Sequence, residues 1–588
     1  MRKKALRQTC VLLGCMFLFL MMHGRALRVN PLIDDYCLFD FGKNSDDRER
    51  PMYDRFYFDL VTDDARINKL TSWRLWWGDP ELKMKFFRPL SSFLHSFDEK
   101  YIGRTPYIFR LHSMFWGFLY IILSGGLLYR FTGQKKGALS LLIITLSPVL
   151  LLYIMWIATR SHLITAVFSL LSFFFYLSWR KDGRKAGYPL MLLALILSLG
   201  SSEMGYLGFI LIFFYELIFF GKGERKSIWM FSPMFIIVMA YVLLYIAGGY
   251  GVRNSAFYIF ILDDPLIYLK TFLARYPVLL AGQIALFLQR PFEESYPNSY
   301  YVFSFIIIIL FCFGIYSTIK NAESKRKKIV LWFAAVNLAS LVPLVSVPPN
   351  NRVYIVSMFS IVPLSIYQIE FYLKSWKKQA IKKRIVNFLW CGYLSLSFFV
   401  LGPAVNFATQ RFVIEHAEFL EKVMNRSDFI ETRDLDNEYF VVNAGSLIFN
   451  NAYMQFTYNY YHPDKWIPFW NILTISENPL KLTVIDSNTL EIEFLKGDLL
   501  DFRRSGLSRR KEKTFQPGDV FLYWSMVIKV IDVKDGHPIR IRYNFLDRLD
   551  SPRYHFIIWN RDRFAKVTLP KAGESVIFEA AGLPDSLL

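Results

Sequence analysis

Cysteine is scarce in this chain and never spaced as a pair. Cys10, Cys15, Cys37, Cys312 and Cys391 are scattered, mostly inside apolar runs. That excludes a disulfide framework or a thiolate metal site of ordinary spacing, and leaves the cysteines as packing residues. Acidic residues are also in short supply, with 49 Asp and Glu against 69 Lys and Arg, for a net charge of +20. The surplus cations sit in short clusters between apolar segments, as in loops facing the cytoplasm, so nucleic acid is not expected as a partner. Internal repeats and low-complexity tracts are absent. So is any inverted repeat, which weighs against a transporter.

Apolar residues are abundant: 54% of the chain is hydrophobic and 18% aromatic, with a mean hydropathy of +0.27. A membrane helix needs roughly 20 mostly apolar residues. Residues 10–22, 114–130, 138–156, 163–179, 188–200, 204–220, 228–246, 301–319, 329–347, 354–372 and 386–405 meet that description, predicting eleven spans. Leu12-Leu13-Gly14-Cys15 looks like a lipoprotein cleavage box, but the apolar run continues through Met22, so an uncleaved first span is expected. The basic clusters at Arg2, Lys135, Arg180, Lys222, Lys325 and Lys377 follow alternate spans and fall on one side. Residues 265–288 are apolar but carry Lys270 and Arg275, and read as a re-entrant or surface helix.

The resulting plan is a polytopic α-helical membrane protein with a C-terminal β-rich outer domain. Residues 1–24 hold the first span, 25–113 a large polar outer loop, 114–405 the helical core, 406–425 a connecting helix and 426–588 the β-rich domain. The expected location is a bacterial inner membrane, N-terminus cytoplasmic and C-terminal domain periplasmic. In an endoplasmic reticulum protein Asn425-Arg426-Ser427 would be open to glycosylation.

Ionisable side chains close to spans are costly and often functional. Topology brings a set of them to one boundary. These are Asp34 and Asp35 after the first span, Arg88, Arg110 and His112 before the second, Arg160 and His162 before the fourth, Glu203 before the sixth, and Arg352 with Tyr354 before the tenth. Carboxylates supply a general base, and guanidinium groups hold phosphate. A sugar on a lipid phosphate needs both. Arg88, Arg160 and Arg352 are the candidate phosphate ligands, with Asp34 or Asp35 the base. Successive side chains of an extended segment face opposite ways, so only one carboxylate reaches the site, and a divalent metal between them is disfavoured though not excluded. Asp35 is the preferred base, with Asp34 orienting the loop. His112, His162, Glu203 and Tyr354 complete the candidates. Gln289, Arg290, Glu293 and Glu294 read as a wet loop or an acceptor groove, and Tyr458 to His462 with Trp466 and Trp470 as core or a sugar-stacking platform.

The ordered series Asp34-Asp35, Phe87-Arg88-Pro89-Leu90-Ser91, Trp156-Ile157-Ala158-Thr159-Arg160, Ser202-Glu203-Met204 and Arg352-Val353-Tyr354 resembles the GT-C glycosyltransferases. It is similar to the membrane part of the O-mannosyltransferase-like proteins with TPR repeats and their bacterial relatives. The resemblance implies a polyprenyl-phosphate sugar donor, a catalytic Asp in the first loop, and a glycan, lipid or protein acceptor at the outer membrane face. The TPR repeats are missing, and Arg110-Leu111-His112-Ser113 and Ser202-Glu203 depart from the familiar motifs. A transporter, or a non-catalytic membrane scaffold binding glycan through the β-rich domain, is the alternative expectation.

Overall fold

The computed structural model describes residues 2–32, 35–36, 53, 55–56, 75–102, 105–220, 228–285, 296–376, 381–429, 437–446, 454, 457–458, 460–462, 469–501, 505–510, 512–523 and 525–579. A polytopic helical bundle carries a β-rich region at one end. Helix α1 (Arg2–His23) runs into a 3-10 turn at Gly24–Arg28, and among the described residues of the first long loop strand β1 (Lys83–Lys85), helix α2 (Pro89–Phe97) and a π turn (Asp98–Ile102) precede α3 (Pro106–Thr132). Gly133, at φ +79°, lets the chain turn at once into α4 (Gln134–Leu146), a conformation open to glycine without penalty. Ser147 then caps α5 (Pro148–Met155) by accepting the Val149 N–H, and Pro148 occupies the first turn, where its missing N–H costs nothing. The two helices meet at a bend of 47°.

Beyond lie α6 (Arg160–Arg180), α7 (Gly187–Ser201), α8 (Leu207–Phe219), α9 (Ser232–Ala247), β2 (Gly251–Arg253), α10 (Pro265–Gly282), α11 (Asn298–Lys320), α12 (Ser324–Leu341) and α13 (Met358–Ser375). After them, α14 (Ile381–Leu396) passes through a π turn at Ser397–Leu401 into α15 (Gly402–Arg426). The eleven apolar runs fall in helical segments, though 138–156 is broken into α4 and α5 and several runs include a 3-10 or π turn. Among the described residues, six helical segments are long and apolar enough to cross a membrane by themselves, and the bent α4–α5 pair passes the same test when taken as one span. The other expected spans lie on α7, α8, α9 and α13, of 15, 13, 16 and 18 residues. Residues 265–282 form one continuous helix with Pro277 inside it, capped by Asp264 through the Ile267 N–H; residues 286–288 of the expected segment lie outside the described residues.

Among the described residues, the basic clusters at Lys135, Arg180 and Lys325 lie near one another at one end of the bundle. Lys136, Arg326 and Lys374 converge on Glu370, Arg130 pairs with Asp182, and Lys328 donates to the carbonyl of Phe219. Lys222, Arg225, Lys226, Lys377 and Lys378 lie outside the described residues.

At the opposite end two sheets share one core. One is mixed, in the order β11 (Arg563–Lys566), β10 (Tyr554–Asn560), β3 (Glu438–Val441), β4 (Phe469–Ile472), with β3 parallel to both neighbours. The other is antiparallel, in the order β12 (Ser575–Phe578), β5 (Leu480–Asp486), β6 (Thr489–Phe494), β9 (His537–Phe545), β8 (Met526–Lys534), β7 (Val520–Tyr523). Strands β5, β6 and β9 alternate buried and half-buried residues, the pattern of a sheet with one face in a core. The first long loop enters this core: Trp76 donates its indole N–H to the Leu473 carbonyl at 2.9 Å and packs against Phe521 and Tyr543. Backbone bonds from Asp79 to Ser508 and from Ala256 to Gly506 fasten the same β-rich region to the first loop and to the segment after β2.

Candidate functional site

Asp35 is fully buried and lies in a turn. Its N–H reaches the Leu32 carbonyl at 2.6 Å, so the local backbone is not the extended run expected from sequence. The carboxylate accepts the Leu32 N–H on Oδ2 at 3.1 Å and the Ala158 N–H on Oδ1 at 2.9 Å. It therefore ties the post-α1 segment to the 3-10 turn Ile157–Thr159. Burial pushes its pKa up to about 6, while the nearby Arg110 charge and these N–H groups oppose the rise. Asp34 lies outside the described residues. Arg110 is fully buried as well, and its guanidinium donates to the carbonyls of Val29, Asn30 and Met155. Tyr36 covers the segment, its hydroxyl 3.0 Å from that of Tyr461 in the β-rich region, and Asn30 donates to Glu421 on α15 at 2.8 Å.

Arg160 heads a second group. Its Nη2 donates to Asp98 at 2.6 Å and to His95 Nδ1 at 3.0 Å, and its Nη1 donates to the Phe109 carbonyl at 3.2 Å. Since arginine only donates, His95 Nδ1 is the acceptor and Nε2 carries the hydrogen. Burial, followed by the Arg160, Arg55 and His112 charges, holds His95 well below its usual pKa and hence neutral. His112 joins the same group: its Nε2 accepts the Trp116 indole N–H at 3.0 Å, and its Nδ1 lies 2.8 Å from Asp98 and 3.1 Å from Arg160 Nη1. Burial works to raise Asp98, but the His112 hydrogen bond and the Arg160 charge outweigh it and hold the carboxyl below its ordinary range. Asp98 thus neutralises Arg160 inside the protein.

A third group lies across Ser161. Arg88, the residue before α2, grips Glu203 side-on through Nε at 3.1 Å and Nη2 at 2.8 Å, and its Nη1 reaches Ser161 at 3.4 Å. Its guanidinium also lies over Phe86 and Phe56. Glu203 is placed by Ser202, which caps the 3-10 turn Glu203–Tyr206 by accepting the Met204 N–H. The Ser202 hydroxyl is 3.2 Å from His162 Nδ1. Both Arg88 and Arg352 lie within electrostatic reach of His162. Arg352 donates to the Tyr258 hydroxyl at 3.1 Å and covers the Trp156 ring, and Tyr153 donates to its backbone carbonyl.

The predicted residues therefore share one end of the bundle but divide into groups. Arg88 is bonded to Glu203, the neighbouring Ser202 lies against His162, and Arg352 is within electrostatic reach of His162. Arg160 is committed to Asp98 on the other side of Ser161, so it does not join Arg88 and Arg352 around one phosphate position. Tyr354 is fully buried, near Tyr296 rather than the arginines. Sequence reading missed His95 and Asp98. The available signal was the spacing of Ser91, Ser92, His95 and Ser96, a polar face on a short helix. Trp470 and Tyr458 are core residues, while Tyr460 and Tyr461 are half-buried against Tyr36. Gln289, Arg290, Glu293, Glu294 and Trp466 lie outside the described residues. No trio of His, Cys, Asp or Glu converges as a metal set among the described residues.

Neither a family model nor a curated protein sequence matches the chain. Solved structures similar to it include the Archaeoglobus fulgidus oligosaccharyltransferase tethered with an acceptor peptide, at 10% identity and a TM-score of 0.38 over 77% of this chain. They also include ArnT from Cupriavidus metallidurans, at 12% identity and a TM-score of 0.34 over 65% of this chain. The match covers 63% of the archaeal protein and 76% of ArnT.

Proposed function

We propose that the chain is a membrane glycosyltransferase that moves a sugar from a polyprenyl-phosphate donor to a glycan, lipid or protein acceptor at the outer face of a bacterial inner membrane. One observation carries the reading. Arg88 and Arg352, from distant parts of the sequence, both lie within electrostatic reach of His162, and Arg88 already holds an oxyanion side-on. A donor phosphate replaces Glu203 on Arg88 and gains Arg352 as a second cation. Guanidinium groups suit such planar recognition of oxyanions. Their charge stabilises the phosphate as the bond to the anomeric carbon breaks.

Asp35 takes the proton of the acceptor hydroxyl as the new glycosidic bond forms. A carboxylate with a pKa near 6 is ionised at neutral pH and a better base than an ordinary one. The acceptor gains access when the Tyr36–Tyr461 contact over this segment opens. Arg160, neutralised by Asp98, positions the Ile157–Thr159 turn that donates to Asp35.

A second reading of Asp35 has its own support. Both carboxylate oxygens accept backbone N–H groups, which suits an anchor as well as a base. Asp35→Asn in lipid nanodiscs separates the two. Loss of most turnover with donor affinity and thermal stability retained supports the base; a lowered melting temperature with turnover per folded molecule unchanged supports the anchor.

A further inference from the structure

Where α10 meets the segment after the 3-10 turn Ser505–Leu507, there is a cavity of about 200 Å³ that none of the predicted site residues lines. Helix α10 gives it Ile267, Thr271, Ala274 and Arg275, which share one helical face, while Leu266, Leu269 and Leu273 are exposed on another. Tyr296, just before α11, and Tyr301, in its first turn, form a second wall, their rings edge to face at 6.4 Å. Arg510 and Glu512 close it from the β-rich region.

The walls are preorganised. Buried Arg275 donates to the Phe257 and Val345 carbonyls at 2.9 and 3.1 Å, which fixes the segment carrying the lining residues Ala256 and Ile259. Ile259 is tied in turn by its N–H to the Ser346 carbonyl at 2.9 Å. Arg510 grips Asp263 at 2.7 Å, yet its Nε is buried with no hydrogen-bond partner among the described residues. Charge balances here, Arg275 and Arg510 against Asp263 and Glu512, so an ion of either sign finds no net attraction. A purely apolar ligand would leave the Arg510 donor unpaired, which costs free energy. A neutral polyhydroxyl ring meets both demands. Its hydroxyls exchange hydrogen bonds with Arg510, Glu512 and Thr271, and its C–H faces pack on the tyrosine rings. The volume lies below the roughly 300–1,000 Å³ of pockets for drug-sized ligands, which suits one sugar ring.

We infer that this cavity binds one sugar unit of a neutral glycan. It shares a wall with the candidate site, because Tyr258, between Phe257 and the lining residue Ile259, accepts a hydrogen bond from Arg352 at 3.1 Å. Saccharide binding stands apart from the transferase reading. Its consequence, that the acceptor is a glycan rather than a lipid or a protein, rests on that reading.

Saturation-transfer NMR on the full chain in phosphatidylcholine–phosphatidylglycerol nanodiscs tests it. The probes are methyl α-glucoside, methyl α-galactoside, methyl α-mannoside and methyl β-N-acetylglucosaminide. At least one should take up saturation well above the level seen with empty discs. Thr271→Trp fills the cavity, and Arg510→Lys keeps a cation beside Asp263 but removes Nε; each should cut that signal several-fold. Inorganic phosphate should not compete. Absence of transfer to all four probes, or a parent-level signal in either variant that inserts normally, overturns the inference. Displacement by phosphate assigns the cavity to an anion and overturns it equally. Arg510→Lys carries the test if Thr271→Trp fails to insert. Arg88→Gln separates the two readings: it should bind the glycosides as the parent does, and unchanged donor binding in it would count against the transferase reading alone.

Discussion

Asp98 does for Arg160 what solvent would otherwise do. Both side chains are fully buried, at 2.6 Å, and His112 and His95 fill most of the remaining hydrogen-bonding positions. Breaking a buried pair by removing one member leaves an uncompensated charge, which typically costs about 3–5 kcal/mol. Asp98→Asn and Arg160→Gln should each destabilise on that scale in thermal melts, and the double variant should cost much less than the sum. Additive losses would contradict the pairing. Asp35 gives a pH signature of opposite sign to an ordinary salt-bridged carboxylate. Its pKa rises from 3.8 to about 6 on folding, so between those values the folded chain binds more protons than the unfolded one. Its contribution favours folding at low pH and declines as pH rises through that window, by about 3 kcal/mol in all. Asp35→Asn should remove this slope from the melting-temperature profile. In the parent, turnover should rise with pH through about 6 as the base ionises. Arg88, His162, Glu203 and Arg352 were legible because each sits where an apolar run ends. His95 and Asp98 were not, since their role depends on which face of a nine-residue helix turns inward.

Among the elements, the turn between α7 and α8 shows how tightly the site is set. A Cβ on Gly205 would lie 2.3 Å from the Leu199 backbone nitrogen, so any side chain there pushes the 3-10 turn away from α7. Gly205→Ala should move Glu203 and Ser202 together, disturbing the placement of Arg88 and weakening donor binding, measured with a fluorescent polyprenyl phosphate. The Trp76 plug belongs to the same scale. Truncating a buried Trp typically costs about 3–5 kcal/mol, and Trp76→Ala should loosen the loop and the sheets together, seen as faster proteolysis of both. The long apolar runs all lie in helical segments, and the short β-like runs at 482–485, 490–494, 527–533, 539–545, 554–559 and 575–578, read from the sequence between turn signals, coincide with β5, β6, β8, β9, β10 and β12. Strands β3 and β4 escaped because they are four residues each and parallel, and β3 is buried throughout, so it offers no alternation to read. Helix α15 followed its spacing, with Val413, Leu420 and Val423 buried, although Phe412 points outward.

Across the whole molecule, charge distribution and connectivity tell a consistent story. The basic clusters at Lys135, Arg180 and Lys325 lie near one another at one end, and the candidate site residues lie at the other, beside the β-rich region. That grouping was legible because these clusters follow alternate apolar runs. The docking of the loop through Trp76 and Asp79 was not, since it depends on contacts hundreds of residues apart. Reporter fusions after Leu588 should be active only as outer-face reporters, and cytoplasmic activity would reverse the topology. The central claim, a phosphate-recognising site for a lipid-linked sugar, is tested most directly by equilibrium binding of a polyprenyl-phosphate sugar to the protein in nanodiscs. The account predicts saturable binding, little binding of the unphosphorylated polyprenol sugar, and a loss of about tenfold or more in both Arg88→Gln and Arg352→Gln, as expected when a charge-assisted contact is removed. Parent-like affinity in both variants, or equal binding of the unphosphorylated lipid, would contradict it.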